Sequence, residues 1–272
     1  MRQIVDSNFL QSPKLRKYLS DSPQNFAVLT DYASMEAYKG DTLSSIYPSM
    51  QILSAYPRQV IVLKGTQTVC GLKGRRRGLQ RRMIDDGQTR GFPAWCRHLE
   101  AARQGDLPLQ KQLMENGREA SAHMDRVLAD AVKFSDGLEQ VSGTYSSTEL
   151  RILRRDVPFT EELFDKTMRN ILLMAGFMFA GHPRVRKLPP ASELPHTFIF
   201  RAALCAYLMA LRWIYVGGAK NAKPEKIRND IVDVNFAAFA TYFDGLLTED
   251  VKLKGIYQDA KFLLRTVFSQ VP

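Results

Sequence analysis

The first 65 residues alternate between short apolar runs and helix-forming segments, and this alternation restricts the fold more than any other feature of the chain. The runs at residues 3–5, 26–29 and 59–63 have the length of strands, and the last is rich in β-branched side chains. Thr30 with Asp31 supplies the start of a helix after the second run. Strands separated by helices predict an α/β fold with a parallel sheet between helices. Ligands of such sheets bind at the carboxyl ends of the strands.

Two acids lie close to these predicted strands. Asp6 follows the first strand directly, and Glu36 lies about a turn and a half into the helix after the second strand. Each has an ordinary explanation, because an Asp after a strand is commonly a turn or cap residue and a Glu on a helix usually faces solvent. The order of the chain nevertheless places Asp6 and Thr30 at the carboxyl edge of the predicted sheet.

The most informative acidic segment is NDIVDVNFAAFATYFDGLLTED, at residues 229–250. Asp230 and Asp233 are three residues apart, so they share one face of a predicted helix, for which Asn229 is a suitable N-cap. Ala237 and Ala240 are small enough to let other backbone approach that face. The two carboxylates are therefore predicted to face one point.

The end of this segment adds another acid. Gly245 is predicted to end the helix, and Leu246 with Leu247 predicts a short buried strand. Thr248 is predicted to cap the final helix, with Asp250 in its first turn. Carboxylates this close repel each other and persist best with a cation between them or with one of them protonated, so the segment predicts a cation site. Acids in the first turn of a helix are also common for dipole reasons alone.

Basic residues outnumber acidic ones, 38 Lys and Arg against 28 Asp and Glu, and the net charge of +10 favours an anionic partner such as nucleic acid. A generally basic, solvated surface is the alternative. Seven basic residues are concentrated between residues 71 and 90, namely Lys73, Arg75, Arg76, Arg77, Arg81, Arg82 and Arg90. This segment is predicted to be a mobile loop or a frayed helix that contacts phosphate groups, with a solvated linker as the alternative.

The sequence also indicates the compartment. Residues 198–218 are long enough to raise the question of a membrane span. Arg201 and Arg212 fall on nearly the same helical stripe, which favours a buried helix. Three widely spaced cysteines fit a reducing environment, and no long apolar signal opens the chain. A cytoplasmic protein with no membrane partner is therefore predicted.

A long stretch with a helical pattern, residues 92–218, separates the strand-rich beginning from the acidic end. Within it, Ser146 and Glu149 fit a capping box. The Walker phosphate loop is absent from the sequence, which argues against an NTPase.

Taken in order, IVDSNF, MEAYKG and NDIVDVNFAAFATYFDGLLTED resemble the PIN-like nuclease superfamily, over roughly residues 1–65 and 225–270. The resemblance implies a three-layer α/β/α fold with a central, mostly parallel sheet. Members of the superfamily carry four acids that bind metal and serve catalysis. Their counterparts here are Asp6, Glu36, Asp233 and Asp250.

Asp230 competes with Asp233 for the third acidic position, and the spacing from Asp233 to Thr248 favours Asp233. Asn8 and Thr248 match polar positions that often support such a site. The chain departs from the superfamily in the length of its middle. We therefore predict a first part of the PIN-like domain at residues 1–68, a helical insertion with the basic loop at 69–222, and a second part at 223–272.

The resemblance implies a nuclease of the endonuclease kind that depends on Mg²⁺ or Mn²⁺, with RNA favoured over DNA. The proposed oxygen ligands select these hard ions rather than zinc. An inhibitory or regulatory protein partner and a homo-oligomer both remain open. The alternative is a non-catalytic module that binds nucleic acid or protein on a PIN scaffold. A phosphohydrolase of small phosphates ranks last, because position 8 is Asn where the second Asp of a DxD pair would be needed.

Overall fold

The computed structural model describes residues 1–153, 160–183, 185, 187–218 and 222–268, without the side chains of 129–136 and 138–139. A sheet of four parallel strands in the order β3-β2-β1-β4 confirms the predicted α/β class. The strands are β1 (Arg2–Val5), β2 (Phe26–Leu29), β3 (Val60–Val62) and β4 (Gly245–Leu247).

The register of the sheet brings the carboxyl ends of the strands together. Ile4 is opposite Val28 on one side and Leu246 on the other, and Val28 is opposite Ile61. Because all the strands run in one direction, the residues that follow them meet at one edge. The inner strand β1 therefore delivers Asp6 to the middle of that edge.

The chain divides into two compact units by its internal contacts. The first contains the sheet and comprises Met1–Leu72, Arg77–Asp125 and Phe239–Lys254. The second is helical and comprises Lys73–Arg76, Arg126–Ala238 and Gly255–Pro272.

This division differs from the predicted three segments, because much of the expected insertion belongs with the sheet. The physical link is a set of hydrogen bonds and a bridge to the backbone of β3 and of Leu63, which follows it. Asp85 N–H donates to Val62 O at 2.9 Å, the Thr89 hydroxyl accepts from Val62 N–H at 3.0 Å, and Leu63 forms an isolated bridge with Ile84.

Among the described residues, six helices belong to the first unit. They are α1 (Pro13–Asp21), α2 (Asp31–Ala37), α3 (Thr42–Ala55), α4 (Thr66–Cys70), α5 (Leu79–Met83) and α6 (Asp86–Arg103). The longest helix, α7 (Leu107–Gly143), runs from the first unit into the second.

Five further helices follow α7 in the described part of the chain. They are α8 (Ser147–Leu153), α9 (Glu161–Gly181), α10 (Phe198–Tyr215), α11 (Pro224–Ala240) and α12 (Val251–Thr266). Short 3₁₀ turns occur at Ser7–Phe9, Pro57–Gln59 and Leu194–His196.

Side-chain caps explain where several helices begin. A polar oxygen just before the helix accepts a hydrogen bond from a backbone N–H of the first turn and satisfies a donor that would otherwise lack a partner. The residues that do this before α1, α2, α6, α9 and α10 are Ser12, Thr30, Asp85, Thr160 and Thr197. The predicted capping box is also confirmed, because Ser146 N–H donates to Glu149 and Glu149 N–H donates to Ser146.

Four local predictions were wrong. Gly245 does not end the helix, because α11 already ends at Ala240 and Gly245 is the first residue of β4. Asn229 lies inside α11, which begins five residues earlier at Pro224, a residue type suited to the first helical position. Thr248 does not cap α12; instead Asp250 Oδ1 accepts from Leu253 N–H at 2.8 Å. The basic segment at residues 71–90 is neither a loop throughout nor a frayed helix, since it contains α5 and the start of α6.

Helix α10 is the predicted buried helix. By length and composition it could span a membrane, with a mean hydropathy of 1.4, yet 83% of it is buried inside the protein. One such helix is weak evidence for a membrane span, because the core helix of a globular protein can have the same length and hydropathy. Arg201 is 2% exposed and donates from Nε to Pro195 O at 2.8 Å, whereas Arg212 pairs with Asp259 at 2.9 Å.

Candidate metal-binding site at the carboxyl edge of the sheet

Asp6 is the acid at the centre of the sheet edge. Its backbone N–H extends the ladder by donating to Leu247 O at 3.0 Å, and its side chain is 1% exposed. Oδ2 accepts a hydrogen bond of 2.8 Å from the Thr248 hydroxyl. These contacts fix the carboxylate between the ends of β1 and β4, although 242 positions separate the two residues in the chain.

Burial raises the pKa of Asp6, because removing a carboxylate from water penalises its ionised form. The nearby charge of Asp250 raises this pKa further. Hydrogen bonds from Thr248, from the backbone N–H of Asn8 and from Ser7 act in the opposite direction. Within the described part of the chain, Asp6 forms no ion pair with Lys or Arg, so hydroxyls and N–H groups alone stabilise its charge.

Glu36 is joined to Asp6 through one serine. The Ser7 hydroxyl hydrogen-bonds to Glu36 Oε2 and lies 3.4 Å from Asp6 Oδ1. Helix α2 positions Glu36 because Thr30, directly after β2, accepts from Ala33 N–H at 3.1 Å and fixes the start of the helix. A single hydroxyl carries one proton, so Ser7 bridges the two acids by donating to Glu36 and making a longer contact with Asp6.

Asp250 approaches the same edge from the other side of β1. The Thr248 hydroxyl, which donates to Asp6, accepts from Asp250 N–H at 3.0 Å. Asp250 is half-buried, and one of its oxygens serves as the N-cap of α12. Asp6, Glu36 and Asp250 thus form a connected group, which we call the edge acids.

The chemistry of the edge acids suits a hard divalent cation, because carboxylate and hydroxyl oxygens are the ligands such ions prefer. Their arrangement does not yet surround an ion. Among the residues that the structure describes, no group of three or more His, Cys, Asp or Glu side chains is positioned to hold a metal. Coordination would require Glu36 and Asp6 to exchange hydroxyl contacts for the ion.

Asp230 has a different environment, on α11 in the second unit. Its side chain is 1% exposed, and Oδ2 accepts a hydrogen bond of 2.7 Å from the indole Nε1–H of Trp213. Lys226 lies above the same indole ring, 4.8 Å from its centroid. A buried carboxylate with a dedicated indole donor is explained by the packing of α10 against α11.

Asp233 lies one turn further along α11 and is half-buried. It belongs to the second unit, whereas the edge acids belong to the first. That Asp233 completes the group of acids stays a prediction.

Two other groups of predicted residues have defined positions. Asn8 supports Asp6 through its backbone N–H, while its side chain is exposed. The seven basic residues of the segment predicted to contact phosphate are divided between the units, with Arg77, Arg81, Arg82 and Arg90 in the first and Lys73, Arg75 and Arg76 in the second. All of them except the half-buried Arg82 are exposed.

Ser7 is the site residue that sequence reasoning missed. It lies inside the IVDSNF segment, directly after Asp6, but a lone serine after an acid is a common turn residue. Its contact with Glu36 depends on the packing of α2 beside the first 3₁₀ turn, which no local pattern predicts.

Comparison with known protein families, with curated proteins and with solved structures finds no match to this chain. Its function must therefore be inferred from its own side chains.

Proposed function

We propose that this protein is a divalent-metal-dependent nuclease built on a PIN-like α/β scaffold, which hydrolyses the phosphodiester bonds of RNA in preference to DNA. The observation that carries the proposal is the position of Asp6. It is a buried carboxylate at the carboxyl end of an inner parallel strand, it is connected to Glu36 and Asp250 through two hydroxyls, and it has no cationic side chain as partner in the described residues.

The electrostatics of the edge acids favour a cation. Burial and the charge of Asp250 both disfavour ionised Asp6 in the protein alone, as its raised pKa indicates. A divalent ion beside the acids would reverse both effects, because it supplies opposite charge where the side chains now meet like charge. Metal binding should then release protons, and its affinity should increase with pH through the pKa of Asp6.

The residues have distinct proposed roles. Asp6, Glu36 and Asp250 would hold Mg²⁺ or Mn²⁺, with Asp233 as the fourth acid that the family resemblance implies. The bound ion would lower the pKa of a water molecule and neutralise charge on the scissile phosphate. Thr248 orients Asp6 and favours its ionised form, and Ser7 orients Glu36.

The substrate follows from charge. The net charge of +10 and the exposed arginines at residues 75–81 favour a polyanion, and guanidinium groups bind phosphates without reading sequence. A nucleic acid is therefore the proposed substrate, and the preference for RNA rests on the family resemblance.

The test is cleavage of single-stranded RNA and DNA in Mg²⁺ or Mn²⁺ by the wild type, by Asp6→Asn and by Asp233→Asn. Loss of an outer-shell partner typically costs 10–100-fold, so loss of a ligand should reduce the rate by at least about 100-fold. Asp244→Asn is the matched control, because Asp244 accepts from Arg2 N–H at the opposite end of β1 and should leave the rate unchanged.

Undiminished cleavage by Asp6→Asn and Asp233→Asn would exclude the proposed site. Salt-sensitive RNA binding without cleavage by the wild type would instead identify a non-catalytic binding module.

A further inference from the structure

A cavity of about 380 Å³ opens in the first unit beside the carboxyl ends of β2 and β3. Leu29 and Val62, the last residues of these strands, line it together with Ser34 and Tyr38 from the side of α2. The remaining walls come from α3, α6 and α7. Its volume lies within the range of small-molecule sites, so it can admit a nucleobase with its sugar.

The walls of this cavity suit a flat heteroaromatic ring. Phe92 and Trp95 of α6 stack on each other, with ring centroids 5.4 Å apart and an interplanar angle of 28°. Phe92 is buried and Trp95 is half-buried. Stacking on aromatic side chains is the main interaction by which proteins bind unpaired bases, and it tolerates any base because each has a π-face.

Polar groups are placed around the same rings. The Asn116 side chain hydrogen-bonds with the Tyr38 hydroxyl, and both line the cavity. Gln88 Nε2 donates to Asp85 at 3.2 Å, while Gln88 Oε1 has no hydrogen-bond partner among the described residues. Amides and a hydroxyl supply the donors and acceptors that the edge of a base requires.

The cavity and the edge acids lie on opposite faces of one helix. Ser34 and Tyr38 are four residues apart and face the cavity, whereas Glu36 lies midway between them and points to the other side of α2. A helix with its side chains is about 10–12 Å wide. At about 3.4 Å per stacked nucleotide, a strand crosses that width in three or four nucleotides.

We propose that this cavity binds one unpaired base of a single-stranded RNA whose phosphodiester backbone continues past α2 to the edge acids. This inference rests on the proposed nuclease function for the direction of the strand, but binding in the cavity requires neither metal nor cleavage. The base stacks on the aromatic pair, and the amides of Gln88 and Asn116 contact its edge.

The experiment measures binding of fluorescein-labelled pentaadenylate and pentauridylate RNA in EDTA by fluorescence anisotropy, with the wild type and Trp95→Ala. Stacking is worth 1–3 kcal/mol per base, so Trp95→Ala should weaken binding by about fivefold to 150-fold. A pentamer of abasic ribose phosphate should bind the wild type as weakly as RNA binds Trp95→Ala.

Gly91→Leu is designed to obstruct the cavity. Gly91 lines the cavity on α6, and a Cβ there would meet no heavy atom within 4 Å, so a side chain can be added at this position without a clash at its Cβ. We expect at least a tenfold loss of RNA affinity with an unchanged thermal melt. Gly91→Ala is the matched control and should bind within twofold of the wild type.

Intrinsic fluorescence locates the binding. The protein has two tryptophans, and Trp213 is buried in the second unit, so saturable quenching that disappears in Trp95→Phe reports on the cavity. Equal RNA affinity of wild type, Gly91→Leu and Trp95→Ala would overturn the inference, as would equal binding of the abasic pentamer.

The two proposals fail separately. If RNA binds in the cavity but is not cleaved, the proposed nuclease function is excluded and the proposed base-binding site is retained. If the wild type and Gly91→Leu cleave RNA with the same KM, the proposed nuclease function is retained and the proposed base-binding site is excluded.

Discussion

Replacing Thr248 by Val tests the hydrogen bond that holds Asp6 in place. Valine has the same shape but no hydroxyl, so the variant loses the 2.8 Å donation to Asp6 Oδ2 and the 3.0 Å acceptance from Asp250 N–H. A hydrogen bond to a charged group contributes about 1.5–3 kcal/mol net and a neutral one about 0.5–1.5 kcal/mol. We therefore expect the free energy of unfolding to fall by about 2–4 kcal/mol at neutral pH.

The cost of Thr248→Val should depend on pH. The pKa of Asp6 is already raised in the folded state, so folded-state stability falls as pH rises from the unfolded pKa through the folded one. Removing the Thr248 donor raises the pKa of Asp6 further, so the stability of the variant decreases more steeply as the pH rises. The free energy of unfolding of the variant should therefore fall most at pH 7–8. At pH 3 only the cost of two neutral hydrogen bonds, about 1–3 kcal/mol, should remain.

The assay is urea denaturation of metal-free protein at pH 3, 5 and 8, followed by far-UV circular dichroism. Thr30→Val is the matched control, because its hydroxyl accepts from Ala33 N–H and contacts no carboxylate. Its cost should be about 0.5–2 kcal/mol at every pH. An equal cost of Thr248→Val at pH 3 and pH 8 would refute the claim that this hydroxyl stabilises an ionised Asp6.

Three further substitutions test other contacts, each by urea denaturation. Trp213→Phe should lower the free energy of unfolding by about 1–3 kcal/mol, because it removes the indole donor of buried Asp230; a neutral effect would show that other partners satisfy this acid. Gln59→Leu should cost about 1–3 kcal/mol, because its Nε2 lies 2.7–3.0 Å from three backbone carbonyls that would lose a donor; retention of full stability would contradict this. Gly117→Ala should also destabilise, because its Cβ would clash with the Thr42 side chain, and adding Thr42→Gly, which removes that side chain, should recover part of the loss; no recovery would exclude the clash as the cause.

Much of the sheet could be predicted because its signals are local. The composition and length of a run such as FAVL at residues 26–29 favour a strand over a helix or a loop. Thr30 then starts a helix through a contact within four residues. The same locality explains the failure at Asn229. An N-cap signal was present there, but Pro224 offered an earlier start, and nothing local decides between two adequate starts.

The site could be predicted only in part. Parallel strands bring their carboxyl ends to one edge, so chain order predicted that Asp6 would lie there, but its hydrogen bond with Thr248 was not predicted. The indole partner of Asp230 lies on another helix, and the link between Glu36 and Asp6 passes through a serine, so neither could be deduced from spacing. Such contacts depend on how helices pack, which periodicity alone does not determine.

Anomalous X-ray diffraction from crystals soaked in Mn²⁺ tests the central claim most directly, because it locates the ion independently of activity. We predict one strong peak that contacts Asp6 together with Glu36 or Asp250 and that disappears in Asp6→Asn. A Mn²⁺ peak elsewhere, or none beside Asp6 at saturating metal, would contradict the assignment of the edge acids as a cation site.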